Sequence, residues 1–137
     1  MDADEAVIRT FVDPAREERL ARFLASPADR DRLRQELSHL RELHPSYRQP
    51  VPAERQTPEE LERLLRTLGA PDRCHLLSED PELDGLELEL RDALDWVLGS
   101  GRTTFVSCVP GRLAYFEGKR PGDRYLLERP GPPVETA

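Results

Sequence analysis

Cys108, Arg112 and His75 hold the strongest reactive chemistry in this sequence. A thiolate steadied by a nearby cation is a nucleophile, and an imidazole within reach can serve as its base. Arg112 follows Cys108 after three intervening residues, position 114 is Ala, and the next residues are strand-like. A phosphate-gripping thiol loop needs a longer spacing and a helix whose N-terminus holds the anion. No third residue that would orient the imidazole is evident. The bland reading is therefore preferred: Cys108 is a small buried apolar residue on a strand. A thiol-dependent enzyme using Cys108, His75 and Arg112 on an anionic substrate is kept as the alternative.

Metal chemistry finds little footing. His39, His44, His75, Cys74 and Cys108 lack the spacing of a zinc motif. Cys74 and His75 are adjacent, so a strand would point them to opposite faces. Asp80, Glu82 and Asp84 alternate ahead of Gly85, as at the start of a calcium loop. The place of the closing bidentate Glu is taken by Arg91, and Pro81 restricts the loop. The segment reads instead as an acidic turn ahead of a helix N-terminus, where negative charge is favourable. Neither a metal nor a cofactor is expected.

Charge offers a different lead. From Glu79 to Asp95 there are eight acids and one arginine; from Arg102 to Arg129, six basic residues and three acids. Such asymmetry can steer a partner, although charged blocks are most often solvated faces. Asp80, Glu82 and Asp84 on one side, and Arg112, Lys119 and Arg120 on the other, are the candidate binding residues. The formal charge of −7 argues against nucleic acid, whose backbone demands clustered cations. Tyr115 and Phe116 could stack bases, but strand alternation puts the two rings on opposite faces. No glycine-rich phosphate loop, GxSxG elbow or HExxH motif occurs. These readings favour a small interaction or regulatory module whose partner is another protein or a second copy of itself.

No run approaches the roughly 18 apolar residues of a membrane span. The first residues, Met1 to Glu5, are acidic rather than signal-like, so a cytoplasmic location is expected. Cys74 and Cys108 would then be reduced thiols. Lys119 is the only lysine among 20 basic residues, a bias that fits a GC-rich bacterial genome.

The elements that would position these residues follow from periodicity and caps. Ala6, Val7, Ile8, Phe11 and Val12 suit a short helix or anchoring segment. Asp13-Pro14, Ser26-Pro27 and Thr57-Pro58 each read as a helix start, with an N-cap oxygen and a proline at the first helical position. Thr57 and Glu60 occupy capping-box positions. Leu33, Leu37 and Leu40 form one apolar stripe, and Leu61, Leu64, Leu65 and Leu68 another. The stretch 44–56 reads as a long loop. Cys74 to Ser78 reads as a strand; 86–90 is ambiguous, with a helix from about Leu90. Two β-rich runs, 103–109 and 112–117, flank Pro110-Gly111 and predict a tight hairpin. Asp123 to Glu128 predicts a further strand, taken as the sheet edge.

The sequence thus predicts an α+β fold of order ααα-β-α-β-β-β. N-terminal helices would pack on one face of a small, mostly antiparallel sheet of three to four strands. One domain is expected over 1–129, with a helical half at 1–70 and a sheet half at 71–129. A Pro/Gly-rich tail would occupy 130–137.

Overall fold

The computed structural model describes residues 2–130. Helix α1, Ala3–Phe11, opens where the Asp2 carboxylate accepts the Glu5 N–H at 2.8 Å. Helix α2, Pro14–Arg22, opens where Asp13 accepts the Ala15 N–H at 2.8 Å, with Pro14 at a position that needs no N–H donor. The Ser26-Pro27 start yields only a short 3₁₀ turn, Pro27–Asp29, before helix α3 begins, Arg30–Ser38. Helix α4, Pro58–Thr67, is capped by the Thr57 hydroxyl, which accepts the Glu60 N–H at 3.2 Å. Glu60 itself turns to Arg63, so this cap lacks a reciprocal bond from the Glu60 side chain.

Six strands build one antiparallel sheet in the order β1-β6-β5-β4-β2-β3, more than the expected three or four. They are β1 Arg48–Pro50, β2 Arg73–Ser78, β3 Glu87–Glu89, β4 Thr104–Val109, β5 Leu113–Glu117 and β6 Arg124–Glu128. Helix α5, Leu90–Val97, follows β3 directly, which resolves the ambiguous stretch into a three-residue strand and then a helix. The expected hairpin is β4–β5 at the middle of the sheet. Its turn residue Gly111 has φ 73°, a left-handed value that glycine adopts without a Cβ penalty. A Cβ there would lie 3.4 Å from the Thr10 hydroxyl, so the turn is also seated on α1.

Two expectations are corrected here. The strand at 124–128 is not an edge, because β1 pairs along its outer side. Nor do the helices share one face. One core joins Ile8, Phe11, Leu33 and Leu37 of α1 and α3 to Phe105, Phe116 and Leu127. The other joins Leu61 and Leu65 of α4 and Leu90, Leu94 and Val97 of α5 to Leu76, Val106 and Tyr115. The sheet is thus a middle layer, and every residue of β5 is buried. A sheet covered on both sides needs apolar residues at successive positions, as Leu113-Ala114-Tyr115-Phe116 supplies.

The division into a helical half and a sheet half dissolves as well. Residues of 1–70 supply β1, and α4 packs with α5 across the sheet from α1 and α3. Residues 131–137 of the expected tail lie outside the described residues.

Candidate functional site

Cys108 sits at a bulge in β4, where Ser107 pairs with Ala114 and Val109 with Leu113. Like Val106 two residues earlier, Cys108 faces the α4–α5 core, in the same cluster as Cys74, and is 5% exposed. Its thiol points at the Val106 carbonyl, 3.7 Å away. Burial pushes its pKa strongly upward, and burial raises that of Cys74 to about 12. Both thiols are therefore held protonated, the opposite of an activated nucleophile.

His75 lies on the other face, as strand alternation from Cys74 requires. Its Nε2 is 2.8 Å from Asp4 Oδ1 on α1, and its Nδ1 is 3.0 Å from Glu87 Oε2 on β3. Arg112 is exposed in the hairpin turn, where its backbone N–H donates to the Val109 carbonyl at 2.9 Å. The sheet therefore separates Cys108 from His75, and this placement gives the thiol reading no support.

Around His75 runs a chain of charges that sequence reasoning missed. Arg30 donates to Asp4 at 3.0 Å and, through Nε and a terminal nitrogen, to both oxygens of Asp84 at 2.7 and 2.8 Å. Arg34 adds a bond to Asp84 at 3.1 Å, and the Ser78 N–H another at 3.0 Å. The Asp84 side chain is only 3% exposed. Its lone pairs are committed to guanidinium and amide donors, so it pins the β2–β3 connection to α3. Bonds to the Asp84 carboxylate push the Arg30 pKa further up, against the opposing effect of burial. The Asp4 bond, ahead of its charge and the Glu87 bond, raises the His75 pKa above its ordinary value. For Asp4 burial alone acts upward, but His75 and Arg30 outweigh it and the carboxyl falls below its usual range.

The other candidate binding residues are scattered. Asp80 accepts the Glu82 N–H at 2.9 Å within its own turn. Lys119 pairs with Glu79, whose carboxylate also takes the Thr103 N–H at 2.6 Å. Arg120 pairs with Asp123 at 3.3 Å. A second polar row crosses four strands under the α4–α5 layer: Ser78, Thr104, Glu117 and Arg124 are successive register partners. There the Tyr115 hydroxyl donates to Glu117 at 2.5 Å, as does the Gly99 N–H at 2.9 Å. Ser78, Thr104, Tyr115 and Glu117 are buried and Arg124 partly so, as in a structural network.

Among the described residues the large apolar side chains left exposed are Leu68, Leu86 and Trp96. Trp96, on the outer side of α5, is 68% exposed. Its helical register lies off the Leu90, Ala93, Leu94, Val97 stripe, a signal readable from the sequence. Leu86, just before β3, is also exposed. Of the acids around this unit, Asp84, Glu87 and Asp95 have cationic partners. Glu82, Glu89 and Asp92 have none among the described residues. Asp92 stands one helical turn from Trp96, on the same flank. The opposite flank is spent on α4, where Arg91 meets Glu59 at 3.2 Å and Glu62 at 3.3 Å.

Among the described residues no helix is long and apolar enough to cross a membrane. No family model, curated protein or solved structure matches this chain.

Proposed function

We propose that the chain is a protein-interaction module that docks a basic segment of another protein on the β3–α5 unit, with Trp96 as the aromatic anchor. The observation that carries this reading is the exposure of Trp96, the most exposed aromatic among the described residues: Phe11, Phe105, Tyr115 and Phe116 are fully buried, and Phe23, Tyr47 and Tyr125 are partly buried. Tryptophan is the residue most enriched at the energetic centres of interfaces, because it buries a large rigid surface at low entropic cost. Charge supplies the sign of the partner. Glu82, Glu89 and Asp92 form no salt bridge among the described residues, in a protein of formal charge −7; Arg73 stands opposite Glu89 in the β2–β3 register but directs its guanidinium to the Glu87 carbonyl. An arginine or lysine of the partner gains both the carboxylates and the indole face.

Backbone pairing at the sheet edges is a weaker candidate for the same role. At β3 the Glu87 carbonyl already takes a bond from Arg73 at 2.9 Å. At β1, Pro50 removes one N–H from the rim. The surface of α5 is the more open feature.

Trp96 is the only tryptophan, so its fluorescence reports on the surface directly. Titration with an alternating Arg-Leu hexapeptide should change the emission saturably, whereas a Glu-Leu hexapeptide should not. Asp92→Lys combined with Glu89→Lys should abolish the response to the basic peptide. Equal responses to both peptides, or an unaffected double variant, would refute the reading. Light scattering after size exclusion tests the competing occupant: a dimer that shields Trp96 from acrylamide would assign the surface to a second copy and overturn the basic-segment proposal.

A further inference from the structure

We propose that His75 is a proton-operated clasp: as an imidazolium it ties α1 to β3, and on losing its proton it keeps α1 and lets the Glu87 side chain go. This inference shares strand β3 with the docking proposal but does not depend on it.

The geometry carries the argument. Both ring nitrogens sit within hydrogen-bond distance of carboxylate oxygens, Nε2 at 2.8 Å from Asp4 and Nδ1 at 3.0 Å from Glu87. An ionised carboxylate only accepts, and a neutral imidazole has only one N–H. Only the doubly protonated ring can donate to both partners. The charges nearby agree. On α1 the facing group is Asp4, and on β3 it is Glu87. The β2–β3 connection contributes Asp84, while α3 contributes Arg30 and Arg34. Those three acids and two arginines balance when His75 carries the third positive charge. Asp31 on α3 lies farther out against Arg34, and Arg73 on β2 donates to the Glu87 carbonyl rather than to its carboxylate. From β4 the register partner is the uncharged Ser107.

Proton loss has an asymmetric consequence. Asp4 is 14% exposed and is held independently by Arg30, whereas the Glu87 side chain is 63% exposed and has no other cation among the described residues. The remaining N–H therefore stays on Nε2, toward Asp4. The lone pair then uncovered on Nδ1 repels Glu87, which turns into solvent as the proton leaves to water. A strand of three residues loses its carboxylate tie to β2 while keeping the Arg73 bond to the Glu87 carbonyl, and that strand leads straight into α5.

The sign of the stability effect follows. The folded-state pKa of His75 is raised above its ordinary 6.5. Its contribution is fully present below that value and disappears as pH rises through the folded value.

The test is a side-chain NMR titration of the full chain, with His39 and His44 as references in the same spectrum. His75 should titrate above 6.5, the Glu87 amide shift should follow the same midpoint, and the neutral ring should be the Nε2–H tautomer. Asp4→Asn should lower the midpoint more than Glu87→Gln does. A midpoint at or below 6.5, an indifferent Glu87 amide, or an Nδ1–H tautomer would each overturn the clasp.

Discussion

The Tyr115 hydroxyl donates to Glu117 across 2.5 Å, between two side chains on the same face of β5. Glu117 is 1% exposed and also receives Arg124 at 3.2 Å and the Gly99 N–H. Burial, with the neighbouring carboxylate, pushes the Tyr115 pKa far up, so its proton stays in the bond. Removing the acid leaves a buried phenol without its acceptor and the partly buried Arg124 guanidinium with only Gln56 Oε1, at 2.7 Å. Glu117→Ala should therefore cost about 3–5 kcal/mol in urea unfolding, the range for breaking a buried charge pair from one side. Tyr115→Phe removes only one donor to a charged acceptor and should cost about 1.5–3 kcal/mol. A Glu117→Ala variant within 1 kcal/mol or so of the parent would show that water takes over the role of the carboxylate.

A second ion network, around Asp84, makes the β2–β3 connection part of the α3 packing. Asp84→Ala removes the acceptor shared by Arg30 and Arg34, leaving Arg30 with Asp4 and Arg34 with Asp31 at a half-buried position. The expected loss is about 2–4 kcal/mol, less than for Glu117 because Arg30 can reach water. A double-mutant cycle with Arg30→Ala should return a coupling of about 1–3 kcal/mol, since the two side chains meet through two bonds. Additive losses would mean that the paired geometry contributes nothing beyond the separate side chains.

These two networks also mark where sequence reading stops. Helix caps at Asp13 and Thr57, the Pro110-Gly111 turn and the leucine stripes are local signals, and each led to a real element. The strand β1 left no such signal. Arg48-Gln49-Pro50 is polar and contains a proline, and only its pairing with β6 makes it a strand. Two-sided burial was written in the unbroken apolar run of β5, but its meaning depends on knowing that helices cover both faces. Asp4 and His75 lie 71 residues apart, and Arg30 and Asp84 lie 54 apart. No spacing rule connects such pairs, because the chain meets itself there only after folding. Trp96 is the reverse case: its departure from the α5 stripe was visible in the sequence.

The two thiols give a kinetic prediction. Both are buried on one face, with pKa values raised by desolvation. In the native protein at pH 8, iodoacetamide should label Cys74 and Cys108 only at the rate of local or global opening, and in urea both should react promptly. Mass spectrometry of the digested protein would read each site separately. Rapid native labelling of Cys108, before any unfolding, would contradict the enclosed position found here.

A pair of glycines supplies the last prediction, with its own internal control. The chain turns from β5 to β6 through Gly118 to Asp123, and the Gly118 N–H donates to the Asp123 carbonyl at 3.0 Å. A methyl group built on Gly118 would sit 2.7 Å from that carbonyl oxygen and closer still to the Asp123 Cβ. The two nearest atoms are a backbone oxygen and a Cβ fixed to the same backbone, neither of which can swing aside as a side-chain tip would. Four residues on, Gly122 meets nothing within 4 Å and has no positive φ. Gly118→Ala should accordingly destabilise by about 1–3 kcal/mol through overpacking, while Gly122→Ala should stay within about 0.5 kcal/mol of the parent. Because both positions lie in one connection, a change in unfolded-chain entropy affects them alike, and the difference isolates the close approach. Equal melting temperatures for the two variants would show that the connection relaxes freely and that the turn does not fix the β5–β6 register.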